Sequence, residues 1–485
     1  MSGAIRVRSH ELLDRAVELH GKGEWQQAEL LYNRLLDRSP QNPGLLYYMG
    51  DLQARKGNHG LAIALLSECI DQWTETNPGD VTLAAAYNSL GIALKKVGRD
   101  KDADMALRHV ERLMPGNSLG SANLSGNAIN AGTPQIAIDA ARKALSFAPD
   151  DIHAEYHLAL GLLELNDWAR AWPHFEARKR LPGNSSSNIK TRNYHGPDGM
   201  TPWWGGKPSG LLAIHGEQGL GDEILFASCL PDMRPLAKQV VLECAPRLAG
   251  LMARSFPWLR VNGTHKLDGA EWVPELGPPD AKEALGSLPK YFRTSAAAFP
   301  RVPYLVADPA RRVRYRERLG ALPKRPNIGI SWQGGTPHTR ADFRSIHPPD
   351  LAPILRFPAN WISLQYTGQA ALDIAEVKAE TGVEIHHWPE AAMGLDMDDQ
   401  AALIAELDLV ISVCQTAIHV AGGLGVPCWV LVPSRPAWRY GIAGDRSAWY
   451  SDAQQYWRQQ GDDWAPIIEQ VAEAMHAHFG KLQAA

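Results

Sequence analysis

Small and apolar residues return at a fixed interval over the first third of the chain. Ala28, Ala62, Ala103, Ala137 and Ala171 are separated by 34, 41, 34 and 34 residues. Tyr32, Leu66, Leu107 and Phe175 each stand four residues after one of these alanines, on the same helix face. Pro40, Pro115 and Pro149 follow Ala28, Ala103 and Ala137 by twelve residues, where each closes a unit. Gly50 and Gly91 precede Ala62 and Ala103 by twelve, where two helices must cross closely. The pattern predicts stacked helix pairs. An insertion around Thr74-Glu75-Thr76-Asn77-Pro78-Gly79-Asp80 absorbs the one long step, and Ser125 stands where the fourth unit should carry glycine.

After Leu181-Pro182-Gly183-Asn184-Ser185-Ser186-Ser187-Asn188 the rhythm changes. Gly, Pro and Ser clustering reads as a linker. From Trp203 short β-branched runs alternate with helical stretches, which predicts βαβ units and parallel sheets. The expected strands are Leu211–His215, Gln239–Cys244 and Glu271–Pro274, with helices over Leu225–Leu236 and Arg247–Ser255. A second such region has strands at Asn327–Trp332, Trp361–Gln365, Val383–His387, Leu407–Val413 and Cys428–Val432. Trp464–His478 reads as an amphipathic helix with Ile467, Ile468, Val471 and Met475 on one side. The expected division is a solenoid over 1–182, a linker over 183–202, one α/β domain over 203–324 and another over 325–485.

Composition narrows the function classes. A formal net charge of -4 gives no electrostatic case for nucleic acid. Five cysteines without a CxxC pair, Cys69, Cys229, Cys244, Cys414 and Cys428, argue against a disulfide framework or a zinc site. No apolar run approaches the ~20 residues of a membrane helix, and Met1–Glu11 has no signal-peptide character. The expectation is a cytoplasmic protein without an integral membrane segment.

The stretch His215-Gly216-Glu217-Gln218-Gly219-Leu220-Gly221-Asp222-Glu223-Ile224 follows the apolar run Leu211–Ile214. It reads as a strand, a glycine turn and a helix start, where Gly219 and Gly221 let a ligand approach the backbone. Three readings stand. A dinucleotide fingerprint is disfavoured because Ile224 takes the third glycine position. Asp222 is either a helix cap or a catalytic carboxylate at the C-terminal edge of a sheet.

Three further loops carry polar groups at strand ends. Gln333-Gly334-Gly335-Thr336-Pro337-His338, with Arg344-Ser345 beyond, suits a diphosphate, since arginine pairs with phosphate oxygens in a bidentate manner. Ser412-Val413-Cys414-Gln415-Thr416-Ala417-Ile418-His419 delivers a helix N-terminus, with Thr416 and Ala417 offering backbone N–H groups. His419 is either a packed helix residue or a donor contact. Pro433-Ser434-Arg435-Pro436-Ala437-Trp438-Arg439-Tyr440 interleaves aromatics and arginines, so Trp438 either stacks on a base or packs into the core. Gln365, ending a strand, is a further candidate contact to a nucleotide. Asp396, Asp398 and Asp399 read as helix capping rather than a Mg²⁺ site, and Cys414 as a buried small residue rather than a nucleophile.

The 34-residue period resembles the tetratricopeptide repeat family over residues 9 to about 182. That resemblance implies a groove for a protein partner. The turn Glu217–Asp222 resembles the GxxGD-type turn of heptosyltransferase-like glycosyltransferases of the GT-B fold. Together with Pro202-Trp203-Trp204 and Cys229-Leu230-Pro231-Asp232, it more closely resembles a bacterial group in which such repeats precede the catalytic region. The resemblance implies two Rossmann-like domains and a C-terminal helix that crosses back to the first of them. It implies a nucleotide-sugar donor with no cofactor, Asp222 as general base, and Arg344 on the donor phosphates. The family carries Asp-Thr where this chain has Cys414-Gln415, which leaves the sugar open. A protein acceptor, such as a bacterial surface or flagellar protein, stands beside a lipopolysaccharide acceptor. A non-catalytic adaptor that senses a nucleotide-sugar is the reading from another class.

Overall fold

The computed structural model describes residues 2–77, 80–182, 194, 201–265, 270–335, 341–394, 396–459 and 463–484. Backbone contacts gather the chain into two compact units, Met1–Leu162 and Leu163–Ala485.

The first unit is a solenoid of helix pairs with the tetratricopeptide period. Its helices are α1 (Ser2–Gly21), α2 (Trp25–Leu36), α3 (Pro43–Arg55), α4 (His59–Thr76), α5 (Val81–Lys96), α6 (Asp100–Leu113), α7 (Ser118–Ala131) and α8 (Pro134–Phe147). The register rests on small residues at the crossings. Ala28, Ala62, Ala103 and Ala137 are fully buried. A Cβ on Gly50 would lie 2.7 Å from Leu66 Cγ, and one on Gly91 2.8 Å from Leu107 Cγ, so only glycine lets each pair close. In the fourth unit Ser125 takes the glycine's place and contacts the next helix, Ile152–Glu164. Ser125 Oγ bonds His157 Nδ1 at 2.9 Å, and the imidazole packs over the neighbouring Gly126. Burial holds the His157 pKa down at about 4, so the ring is neutral there.

A ninth helix, Ile152–Glu164, carries the chain across the boundary, and the tenth, Trp168–Phe175, lies in the second unit. There Trp172 Nε1 donates to the carbonyl of Arg293 at 2.7 Å. The contact grouping thus parts the two helices of the fifth repeat, whereas the periodicity carries the array on to about residue 182.

The second unit holds two parallel sheets. One has four strands in the order β3-β2-β1-β4: β1 (Ser209–His215), β2 (Ala237–Cys244), β3 (Arg260–Gly263) and β4 (Ala281–Ala284). The other has six in the order β10-β9-β8-β5-β6-β7: β5 (Asn327–Ser331), β6 (Asn360–Ser363), β7 (Ile385–His387), β8 (Leu409–Val413), β9 (Cys428–Val432) and β10 (Ala453–Trp457). Counted from β5, the second order is the 3-2-1-4-5-6 of a doubly wound sheet, and the first sheet follows its opening four strands. Each sheet therefore reverses direction at one crevice, between β1 and β4 and between β5 and β8.

Several sequence expectations shift. Glu271–Pro274 forms no strand: Val273–Leu276 is a short helix, and Trp272 is buried with Nε1 on Glu243 Oε1 at 2.8 Å. The strands β3, β4 and β10 went unread. β4 is Ala-Lys-Glu-Ala, too polar for a core strand by pattern, yet Lys282 and Glu283 are buried. Glu283 is tolerated because Lys179 Nζ lies 2.7 Å and Tyr291 Oη 3.0 Å from its carboxylate. The final helix, Ala465–Ala484, packs on the six-stranded sheet. Its Ile467, Ile468, Val471 and Met475 join one core with Ile328, Trp361, Leu409 and Trp429 of the six-stranded sheet.

Candidate functional site

Both crevices end strands that feed a helix, and the sequence folds each turn differently. After β1, Gly219 is the N-cap of the helix Leu220–Ala227, and Asp222 is its third residue. Asp222 Oδ2 accepts the Gly219 N–H at 3.1 Å, the return half of a capping box. Asp222 is thus a capping acceptor from inside the helix and not the N-cap. Its Oδ1 is bonded to Arg439 Nη2, whose side chain also reaches Gln218 Oε1 at 3.2 Å. Gln218 takes a left-handed backbone (φ 61°) to turn the chain there. A Cβ on Gly221 would lie 2.8 Å from His419 Cδ2, so this glycine lets the two helix starts meet.

Glu217, beside Asp222 in the turn, is buried and has a different task. Its carboxylate takes Arg178 Nε at 2.9 Å and Nη2 at 2.6 Å, and accepts the Gly286 N–H at 2.9 Å. Gly286 follows β4, so the β1/β4 crevice is closed by a salt bridge whose arginine comes from the segment after the last repeat helix.

The β5/β8 crevice is built from backbone. A Cβ on Gly334 would lie 2.8 Å from the Cys414 carbonyl, so the two loops touch. Gln415 is the N-cap of the helix Thr416–Leu424, and its Oε1 accepts the Ala417 N–H at 3.3 Å. Its Nε2 is buried with no hydrogen-bond partner among the described residues. Arg344 Nε donates to the Gly334 carbonyl at 2.8 Å. Burial pushes the Cys414 thiol up to about 12, although the charges of Arg344 and Arg439 both reach it and pull the other way. Cys414 is therefore an inert thiol.

The remaining sequence candidates divide. Gln333 lies in the loop, but its N–H is held by Gln365 Oε1 at 3.1 Å. Gln365 is fully buried and also accepts from Ser331 Oγ and the Trp332 N–H, so its amide clasps the β5 loop and is not open to a nucleotide. Ser345 Oγ is turned back to the Ala341 carbonyl at 2.7 Å. Thr416 stands half-buried at the helix start, whereas the Ala417 N–H is taken by Gln415. His419 Nδ1 meets Tyr450 Oη at 3.1 Å; burial, then the Arg439 charge, hold its pKa down at about 3. It is a neutral packing residue. Trp438 is buried among Trp172, Phe175, Phe226 and Trp449 with ring centroids 5.7–6.3 Å away, which corrects the base-stacking reading. Thr336, Pro337 and His338 lie outside the described residues.

Two residues that the sequence reading did not single out matter most. Arg178 carries no local signal of its bond to Glu217, 39 positions away. Arg439 stood in an arginine–aromatic run, but only the fold sets it on Asp222; its guanidinium stacks on Trp438 at 4.9 Å. Asp396, Asp398 and Asp399 pair with Arg311, Arg254 and Arg314, and Asp396 also accepts the Asp398 N–H at 3.0 Å. Among the described residues no three His, Cys, Asp or Glu gather as metal ligands. A separate cavity of about 360 Å³ opens near Trp203, lined by Glu176, Lys179, Glu283, Lys290 and Tyr291, with Lys179 3.9 Å above the indole. No described helix is long and apolar enough to cross a membrane.

No protein-family model matches the chain. It is 28% identical over 442 residues to the protein FlbA of Caulobacter vibrioides (strain ATCC 19089 / CIP 103742 / CB 15), a match that covers 87% of this chain and 72% of FlbA. Among solved structures, a crystal structure of MamA is 22% identical with a TM-score of 0.31, covering 36% of this chain and 96% of MamA. TTC0263, a thermophilic tetratricopeptide protein of Thermus thermophilus, is 20% identical with a TM-score of 0.31, covering 38% and 96% of the two chains.

Proposed function

We propose that this chain is a metal-independent, inverting glycosyltransferase of the GT-B type. It would move a sugar from a nucleotide-sugar to a hydroxyl on a protein recruited by the repeats. The observation that carries the reading is the meeting of Asp222, at the C-terminal end of β1, with Arg439, on the loop after β9. Open α/β sheets bind ligands beyond strand C-termini at their switch points. Here the β5/β8 switch point is flanked by Arg344 and Arg439 and carries a Gln415 N–H that is unpartnered among the described residues.

In this reaction the acceptor oxygen attacks the anomeric carbon while Asp222 takes its proton. The bond from that carbon to the phosphate oxygen breaks, and its electron pair leaves on the nucleotide diphosphate. Arg344 and Arg439 offset the charge that develops there. The repeats suit the protein acceptor, since arrays of this kind bury their apolar faces on one another and leave an extended surface for a partner.

Thermal-shift screening of nucleoside diphosphates and nucleotide-sugars identifies the donor, because a ligand that binds only the folded state raises its apparent stability. Asp222→Asn then retains nucleotide binding and loses about 10²–10⁴-fold in turnover. Full activity in that variant removes Asp222 as the base. One observation favours the adaptor reading instead: both Asp222 oxygens are engaged, by Gly219 and by Arg439. Release of free nucleotide from the donor without acceptor supports the enzyme; binding with no release under any condition supports the adaptor.

A further inference from the structure

We infer that Arg439 is a latch, shared between the carboxylate of Asp222 and an anionic group of the donor, so that donor binding is what frees the base. The inference rests on the donor site proposed above.

Each oxygen of Asp222 already accepts one hydrogen bond, from the Gly219 N–H and from Arg439. The Gly219 N–H holds Oδ2 without a charge and leaves that oxygen a further lone pair. Arg439 on Oδ1 is the real obstacle, a charge-assisted bond between two side chains that are each more than four-fifths buried. Arg439 is otherwise lightly tied. Its other contacts are the Gln218 amide at 3.2 Å and the face of Trp438, and its Nε is buried with no hydrogen-bond partner among the described residues. An N–H in that state is a standing cost that a new acceptor relieves.

The acceptor it would turn to lies on the other side. Arg439 lines one small cavity with Ile418 and His419 of the helix Thr416–Leu424, and Thr416 and His419 lie against Gly221, next to Asp222. Gln415 Nε2, a second buried donor with no partner among the described residues, belongs to the same helix start. A phosphate oxygen there collects Arg439, Arg344 and Gln415 together. The empty protein keeps its carboxylate neutralised, and donor binds before the acceptor is deprotonated. Arg439 is then a positioning residue for Asp222 and a ligand of the donor.

Thermodynamic linkage makes this testable without turnover. The latched state is not competent to bind the anion fully, so its population lowers the apparent affinity. Calorimetric titration with UDP, GDP, CDP and ADP selects the diphosphate that binds the wild-type chain. Asp222→Asn preserves the cap on Gly219 and removes the ionic partner, so it should bind that diphosphate about tenfold more tightly. Arg439→Gln should bind it about tenfold or more weakly. The discriminating measurement is the double variant. If Arg439 is the latch, Asp222→Asn brings no gain in the Arg439→Gln background. A gain of the same size in both backgrounds means simple charge repulsion by Asp222 and overturns the latch, as does unchanged affinity in the single variant. Absence of binding by every chain to every diphosphate removes the donor site itself, and the latch with it.

Discussion

At the C-terminal end of β1 the crevice holds Glu217, gripped by Arg178 and by the Gly286 N–H. At the end of β5 the equivalent crevice holds Gly334 against Cys414, with Arg344 and the Gln415 amide around it. The two sheets share a strand order up to this point, and both send a helix out of the turn. One crevice is filled by a carboxylate that has its counter-charge buried beside it. The other, among the described residues, is lined by positive and neutral donors without a carboxylate of its own. On the reading proposed above, the donor's anionic group enters the second. Asp222 stands one turn of chain beyond the filled crevice, where it is bonded to Arg439 of the loop after β9.

The sharpest way to break this comparison is to unpin the filled crevice. Glu217→Ala takes the two-pronged partner from buried Arg178 and leaves Glu176 as its counter-charge, at a cost of up to about 3–5 kcal/mol. Chemical denaturation of the second unit should show that loss, and a change below ~1 kcal/mol would mean that the salt bridge does not close the crevice. Next in size is the acid response of the helix Thr416–Leu424. His419 is neutral in the folded protein with its pKa near 3, while an unfolded imidazole takes its proton near 6.5. Between those values the unfolded chain binds more protons, so stability falls as pH drops below about 6.5, by at most about 1.4 kcal/mol per pH unit from this residue. Urea titrations at pH 7 and pH 4.5 should show that slope reduced in His419→Asn, and an identical slope would remove His419 from the acid limb. The smallest expected effect is at the cap. Gln415→Ala deprives the Ala417 N–H of its acceptor, for about 0.5–2 kcal/mol. It also removes the Nε2 donor, so any diphosphate that binds should bind more weakly. Unchanged affinity would leave that N–H outside the site.

Much of the solenoid was legible because its contacts run between neighbours in the chain. Leu66 on Gly50 and Leu107 on Gly91 lie within one helix pair, and a period in sequence is a period in space. The core strands of both sheets, β1, β2, β5, β8 and β9, were legible as apolar runs for the same local reason. Strand β4 was not, because the charge on Glu283 is made tolerable by Lys179 and Tyr291, which no short window around residue 282 contains together. Trp438 and Gln365 misled in the opposite direction. Each is a residue type that serves ligands well, and each is consumed by core packing or by the backbone of a neighbouring loop.

The order of amino acids by itself determined the repeat, the glycine turn after β1, the helix start after β8 and the set of polar groups at the strand ends. Those follow from backbone freedom, periodicity and capping, which act over a few residues. Tertiary structure alone decided which of those groups are spent and which remain available. It gave Arg178 to Glu217, Gln365 to the β5 loop and Arg439 to Asp222, and left Gln415 with a donor unanswered among the described residues. Charge and hydrogen-bond pairing depend on distance through space, and strands far apart in the chain set those distances.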